Sequence, residues 1–110
     1  MGLTKSEAFS LKQNELASYA KALAHPARVA ILEHLIQEDK CICGELVDIL
    51  PLAQPTVSQH LVELKKAGLI KGTISGTSMC YCLDKTEWAK CIASVEALFD
   101  QVKSVTNCCS

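Results

Sequence analysis

The sequence predicts a mainly α-helical fold with one small β-hairpin, a winged helix-turn-helix in the order ααααββα. Three observations carry this reading. Apolar residues recur at helical spacing in four stretches before residue 66 and in one after residue 84. Between them, residues 69–83 change to a period of two around Ser75-Gly76, which is hairpin chemistry. A helix, a short break and a second helix, followed by a hairpin, is the winged helix-turn-helix arrangement. The chain has 110 residues, enough for one domain. At 49% apolar and 21% charged residues it can bury one core without covalent staples.

Each element follows from local chemistry. Residues 1–10 are polar with small side chains and read as a flexible arm. Leu16, Tyr19, Ala20 and Leu23 place a first helix over residues 11–23. His25-Pro26 interrupts it, because proline pushes the preceding residue out of the α region and is itself suited to a helix start. A second helix runs from 26 to about 37, with Ile31, Leu32, Leu35 and Ile36 as its stripe. A third, short helix is expected over residues 41–50, ended by Pro51. The fourth starts near Pro55, buries Val57, Leu61 and Leu64, and stops at Gly68. In the hairpin, Tyr81 and Leu83 face inward, so Cys80 and Cys82 face away from the core. The last helix spans about 85–105. Its residues Trp88, Ile92, Val95, Phe99 and Val102 form a seam that wants a partner helix. Cys91 falls within that seam and reads as core or interface. One domain thus covers residues 11–105, followed by a cysteine-bearing tail at 106–110.

The fourth helix occupies the reading position, where N-terminal residues meet base edges in the major groove. Its candidate DNA contacts are Gln54, Thr56, Ser58, Gln59 and His60, and Gln59 suits adenine through paired amide contacts. Lys65 and Lys71 suit phosphates, and Thr77 at the hairpin tip suits the backbone or minor groove. The formal net charge is −1, which excludes a bulk-basic nucleic-acid binder. Residues 54–78 nevertheless carry a net +2. So small an excess neutralises few phosphates, so a dimer is needed to double the contacts. The last helix's seam offers the surface for it.

Seven cysteines are the other anomaly. No apolar run reaches membrane-span length, and residues 1–10 lack a secretion signal's layout, so a cytoplasmic location is expected. Thiols there stay reduced, which favours metal binding or redox chemistry over a disulfide framework. Cys41 and Cys43, two residues apart, can hold one soft ion at a helix start or in extended chain. Cys108 and Cys109 sit adjacent on a tail with no packing role and are the favoured recruits. Cys80 and Cys82 share one strand face and form a possible redox pair. No serine, histidine and carboxylate cluster and no glycine-rich phosphate loop suggests an enzyme.

Four segments carry a resemblance: AKALAHPAR at residues 20–28, ILEHL at 31–35, QPTVSQHL at 54–61 and LKKAGL at 64–69. Over about residues 16–84 the chain resembles the ArsR/SmtB family of metal-sensing winged-helix repressors, its arsenic-responsive members above all. The resemblance implies a homodimer built on the first and last helices, bound to a palindromic operator in double-stranded DNA, with no cofactor needed for binding. It implies release when a toxic metal or metalloid binds, and it assigns Cys41 and Cys43 as ligands by position. Trivalent arsenic or antimony is the inducer it favours, with cadmium, lead and zinc behind. The third cysteine that arsenic sensors carry one turn later is replaced here by Glu45, Leu46 and Val47. The arm lacks the cysteines of cadmium sensors, and residues 84–101 lack the histidines of zinc sensors. The alternatives are a redox- or persulfide-sensing repressor of the same fold and, remotely, a thiol-rich metal buffer or carrier.

Overall fold

The computed structural model describes residues 5–44, 50–73 and 79–106. Helices α1 (Lys5–Ala8), α2 (Leu11–Leu23) and α3 (Pro26–Glu38) come first. Strand β1 (Ile42–Cys43) and helix α4 (Gln54–Lys66) follow. Strands β2 (Ile70–Thr73) and β3 (Cys80–Leu83) lead into helix α5 (Lys85–Lys103). The mainly helical winged architecture is as the sequence predicts.

The helix ends are set by local capping. Ser10 opens α2 with a capping box: its Oγ accepts from the Gln13 N–H (3.1 Å), and the Gln13 Oε1 accepts from the Ser10 N–H (2.9 Å). His25 caps α3, its Nδ1 accepting from the Ala27 N–H at 3.0 Å, with Pro26 at the first helical position. Asp84 caps α5 through its Oδ1 and the Glu87 N–H. Gly68, at φ +85°, turns the chain out of α4 in the left-handed region.

Two local expectations are corrected. The arm is helical over Lys5–Ala8 rather than loose. The Cys-Ile-Cys unit does not open a helix: Ile42 and Cys43 form a strand, and Gly44 follows at φ +116°. Ile42 is β-branched and half-buried against the core, which favours extended chain with the cysteines turned outward. The remainder of the expected third helix, residues 45–49, lies outside the described residues, as does the hairpin tip at 74–78.

The core gathers Ile31, Leu32 and Leu35 of α3, Val57, Leu61 and Leu64 of α4, and Leu69, Ile70 and Tyr81 of the hairpin region. Full burial of such side chains contributes about 1.5–3 kcal/mol each before entropy is counted. Tyr19 of α2 donates a short hydrogen bond to the Glu87 carboxylate of α5. That bond, with burial behind it, pushes the Tyr19 hydroxyl up to about 12. Trp88 Nε1 donates to the Leu69 carbonyl at 3.0 Å and fastens α5 to the start of the hairpin.

The sheet has the order β1-β3-β2, all antiparallel. Gly72 faces Tyr81 across β2 and β3. Its φ is +129°, and a Cβ there would stand 2.1 Å from the Cys80 carbonyl oxygen. Gly72→Ala should therefore lower unfolding stability by about 2 kcal/mol or more, read as a shifted urea midpoint.

Candidate functional site

Helix α4, expected from the sequence to read DNA, presents a narrower polar face than the sequence predicts. Thr56 and Gln59 are exposed, and Gln59 Nε2 donates to the Glu63 carboxylate at 3.1 Å. Ser58 and Gln54 are half-buried. Gln54 Nε2 donates to Ser58 Oγ (3.1 Å) and to Met79 Sδ (3.3 Å), which ties the helix start to the foot of β3. Lys65 and Lys71 are exposed. Lys65 Nζ donates to the Gly72 carbonyl at 2.6 Å, so α4 is linked directly to β2. Thr77 lies outside the described residues.

His60 is a correction. It is only 8% exposed and points into the protein rather than toward a groove. Its ring lies 4.3 Å from that of His25. Its Nδ1 accepts from Arg28 Nε at 3.2 Å, and Arg28 Nη1 also donates to the Lys21 carbonyl at 3.2 Å. The end of α2, the start of α3 and the middle of α4 thus meet on one guanidinium. An acceptor Nδ1 requires a neutral imidazole protonated on Nε2. The spacing held the signal: residues 57, 60, 61 and 64 share one helical face, and the other three are apolar core.

Burial first, then the nearby His25 and Arg28 charges, lowers the His60 pKa below its ordinary value of 6.5. The unfolded chain therefore binds this proton more readily than the folded one. Stability should be unaffected by His60 well above pH 6.5. It should be lost as pH falls below that value, by at most about 1.4 kcal/mol per pH unit. Urea midpoints compared between pH 8 and 5 should show a steeper fall for the native chain than for His60→Gln.

The thiols are arranged by the strand register. Ile42 faces Tyr81 and Cys43 faces Cys80, so Cys41 falls opposite Cys82. Gly44 N–H donates to the Met79 carbonyl at 2.9 Å. Hydrogen-bonded and non-hydrogen-bonded pairs alternate along an antiparallel ladder, so both cysteine pairs occupy the non-hydrogen-bonded positions, where strands approach closest. The 4.1 Å between the Cys43 and Cys80 Cα atoms agrees.

Cys43 and Cys80 are joined as a disulfide, and Cys41 and Cys82 remain thiols connected by a side-chain hydrogen bond. That bond, with burial adding, raises the Cys82 thiol above its ordinary value. The bridge corrects two expectations. A disulfide is present, and Cys80 pairs with Cys43 across the strands rather than with Cys82 along its own. The physical reason is direction: neighbours across a non-hydrogen-bonded pair lie closer than residues i and i+2 of one strand. Two Cys-apolar-Cys units, with β-favouring Ile42 and Tyr81 in the middle, were the available signal.

The row extends into β2, where Lys71 faces Cys82 and Thr73 faces Cys80. A cleft of about 330 Å³ opens beside Cys41 and Cys82, with Lys40, Lys71, Lys85, Asp39 and Asp84 on its walls. With the bridge formed, no group of three or more His, Cys, Asp or Glu side chains is gathered for a metal ion among the described residues. Cys91 is buried on α5, and burial raises its thiol. Cys108 and Cys109 lie outside the described residues. Trp88 and Val95 of the expected seam pack on the core, whereas Ile92, Phe99 and Val102 are 51%, 59% and 63% exposed. Among the described residues, no helix is long and apolar enough to cross a membrane.

A helix-turn-helix domain model matches residues 23–73. The chain is 48% identical over 63 residues to the HTH-type transcriptional repressor SmtB of Mycobacterium tuberculosis, which covers 57% of this chain and 46% of that protein. It thus spans under half the length of that relative. It is 34% identical over 92 residues to the biofilm growth-associated repressor of Agrobacterium fabrum, covering 84% of this chain and 78% of that one. The crystal structure of an ArsR family transcriptional regulator superposes with a TM-score of 0.70 at 22% identity, over 89% of this chain and 100% of that one. By name all three are transcriptional regulators, not enzymes.

Proposed function

The chain belongs to the ArsR/SmtB family of winged-helix transcriptional regulators, and from that premise we propose that it is a thiol-controlled repressor of DNA. It binds a palindromic operator in double-stranded DNA as a homodimer. Helix α4 enters the major groove, Thr56, Ser58 and Gln59 meet base edges, and Lys65, Lys71 and Thr77 meet the backbone. Trivalent arsenic or antimony, bound by thiolates that include Cys41 and Cys43, releases it.

One observation carries this reading. The thiol row on β1 and β3 continues in register to Lys71 on β2, and β2 is hydrogen-bonded to α4 through Lys65 and Gly72. Chemistry at the cysteines therefore acts on the same unit that meets DNA. The exposed Ile92, Phe99 and Val102 support the dimer, as does a groove of about 550 Å³ between α2 and α5 lined in part by Leu16 and Leu98. The disulfide favours a second reading, in which oxidation at Cys43 and Cys80 is the releasing signal.

Duplexes selected by the protein from random DNA supply the test. Fluorescence anisotropy should show salt-sensitive binding, and arsenite should weaken it by about tenfold or more. Cys41→Ser with Cys43→Ser should abolish that response while DNA still binds. Undiminished release by arsenite in this variant overturns the assignment of these two thiols. Release by peroxide but not by arsenite selects the second reading. Phe99→Asp should shift the chain toward monomer in sedimentation and weaken DNA binding in parallel.

A further inference from the structure

We infer that Cys41, Cys43, Cys80 and Cys82 are one binding site for trivalent arsenic, built within a single chain from β1 and β3, and that the Cys43–Cys80 disulfide is its closed state. The inference rests on the proposed repressor function only for its ligand class. The site itself stands on the strand register.

The four residues occupy two alternate rungs of one ladder, separated by the Ile42–Tyr81 rung, and project from one face, since Ile42 and Tyr81 between them face the core. Cβ atoms across such a rung stand roughly 4.5–5.5 Å apart, and alternate rungs roughly 7 Å apart. The two sulfurs of one rung are already bonded, and the Cys41 and Cys82 thiols face each other across the other. Three sulfurs from two such rungs can converge on one ion. The cleft beside Cys41 and Cys82 admits a small solute, and Cys43 and Cys80 are exposed to a reductant. No tail cysteine and no partner subunit is needed to complete three ligands.

The chemistry balances. A dithiol reductant gives two electrons and two protons to Cys43–Cys80: the S–S bond breaks, two thiols form, and the reductant closes to its own disulfide. Arsenous acid then exchanges three hydroxyls for three thiolates. Three As–O bonds break, three As–S bonds form, and three waters leave with the thiol protons. Arsenic stays trivalent. With the bridge intact only Cys41 and Cys82 are available, one ligand short of a trigonal site.

The test uses the full chain with sodium arsenite as the probe. On the dithiol-reduced, desalted protein, arsenite should give one arsenic per chain by mass spectrometry. It should protect Cys41, Cys82 and one of Cys43 and Cys80 from alkylation, and leave Cys108 and Cys109 reactive. Cys80→Ser with Cys82→Ser should bind arsenite about tenfold or more weakly, and Cys108→Ser with Cys109→Ser should bind it unchanged. The oxidised chain should also bind about tenfold or more weakly than the reduced one. Protection of the tail cysteines, loss of binding in the tail variant, or equal affinity of the two redox forms overturns the inference. The alkylation map on the native chain decides the matter even if a wing variant fails to fold. Arsenite bound at these four cysteines without release of DNA leaves the site standing and removes the repressor reading. Release through the tail thiols does the reverse.

Discussion

Where β1 meets β3, the Gly44 N–H reaches the Met79 carbonyl and Ile42 stands opposite Tyr81. That pairing decides which side chains share a face. Ile42 and Tyr81 turn toward the core, and the four cysteines are thereby turned outward in two rungs. A slip of β1 by one residue would turn Cys41 and Cys43 inward and expose Ile42, and a slip of β3 would do the same to Cys80, Cys82 and Tyr81, so the apolar pair enforces the thiol arrangement. Tyr81 is 1% exposed and among the largest fully buried side chains, which makes such a slip costly. The thiol chemistry is therefore a by-product of core packing and needs no dedicated scaffold.

The same sheet joins the thiols to the rest of the fold. β3 lies in the middle, with β1 and its cysteines on one side and β2 with Lys71 on the other. β2 is held to α4 by Lys65, and α4 to α2 and α3 by Arg28 and His60. From the cysteines to the guanidinium, every step is a hydrogen bond or a strand pairing. The outer rungs are thus connected to α4 through the β3–β2 pairing and the Lys65–Gly72 hydrogen bond. A ligand exerts control here only insofar as it binds one arrangement of this unit more tightly than another.

Much of this was legible in the sequence. Helical periodicity, Pro26 and Gly68 located α2, α3, α4 and α5 to within a residue or two. The switch to a period of two located the hairpin. What failed were decisions that long-range contacts make. A two-residue strand has too little pattern to announce itself, and helix and extended chain both suit Cys-Ile-Cys locally. Its partner lies 37 residues away, and only that partner selects the strand. His60 departs from the sequence expectation for a different reason. Its polar identity outweighed its position among Val57, Leu61 and Leu64, although Arg28, the chain's one arginine, satisfies it in the interior.

The charge distribution bears on how the proposed thiol site would control DNA binding. The chain carries a net −1, and its excess positive charge between residues 54 and 78 rests on Lys65, Lys66 and Lys71. Glu63 pairs with Lys66 at 3.6 Å, which leaves Lys65 and Lys71 to carry the net +2. Lys71, in register with Cys82, is then a large share of what one protomer would offer to phosphate in the proposed complex. Because counterion release scales with the number of phosphates met, removing a contact costs proportionally more for a weakly charged reader than for a basic one. In the proposed dimer the loss occurs twice. On the proposed reading, an occupied thiol site that displaced β2 would remove the Lys71 contact from each protomer.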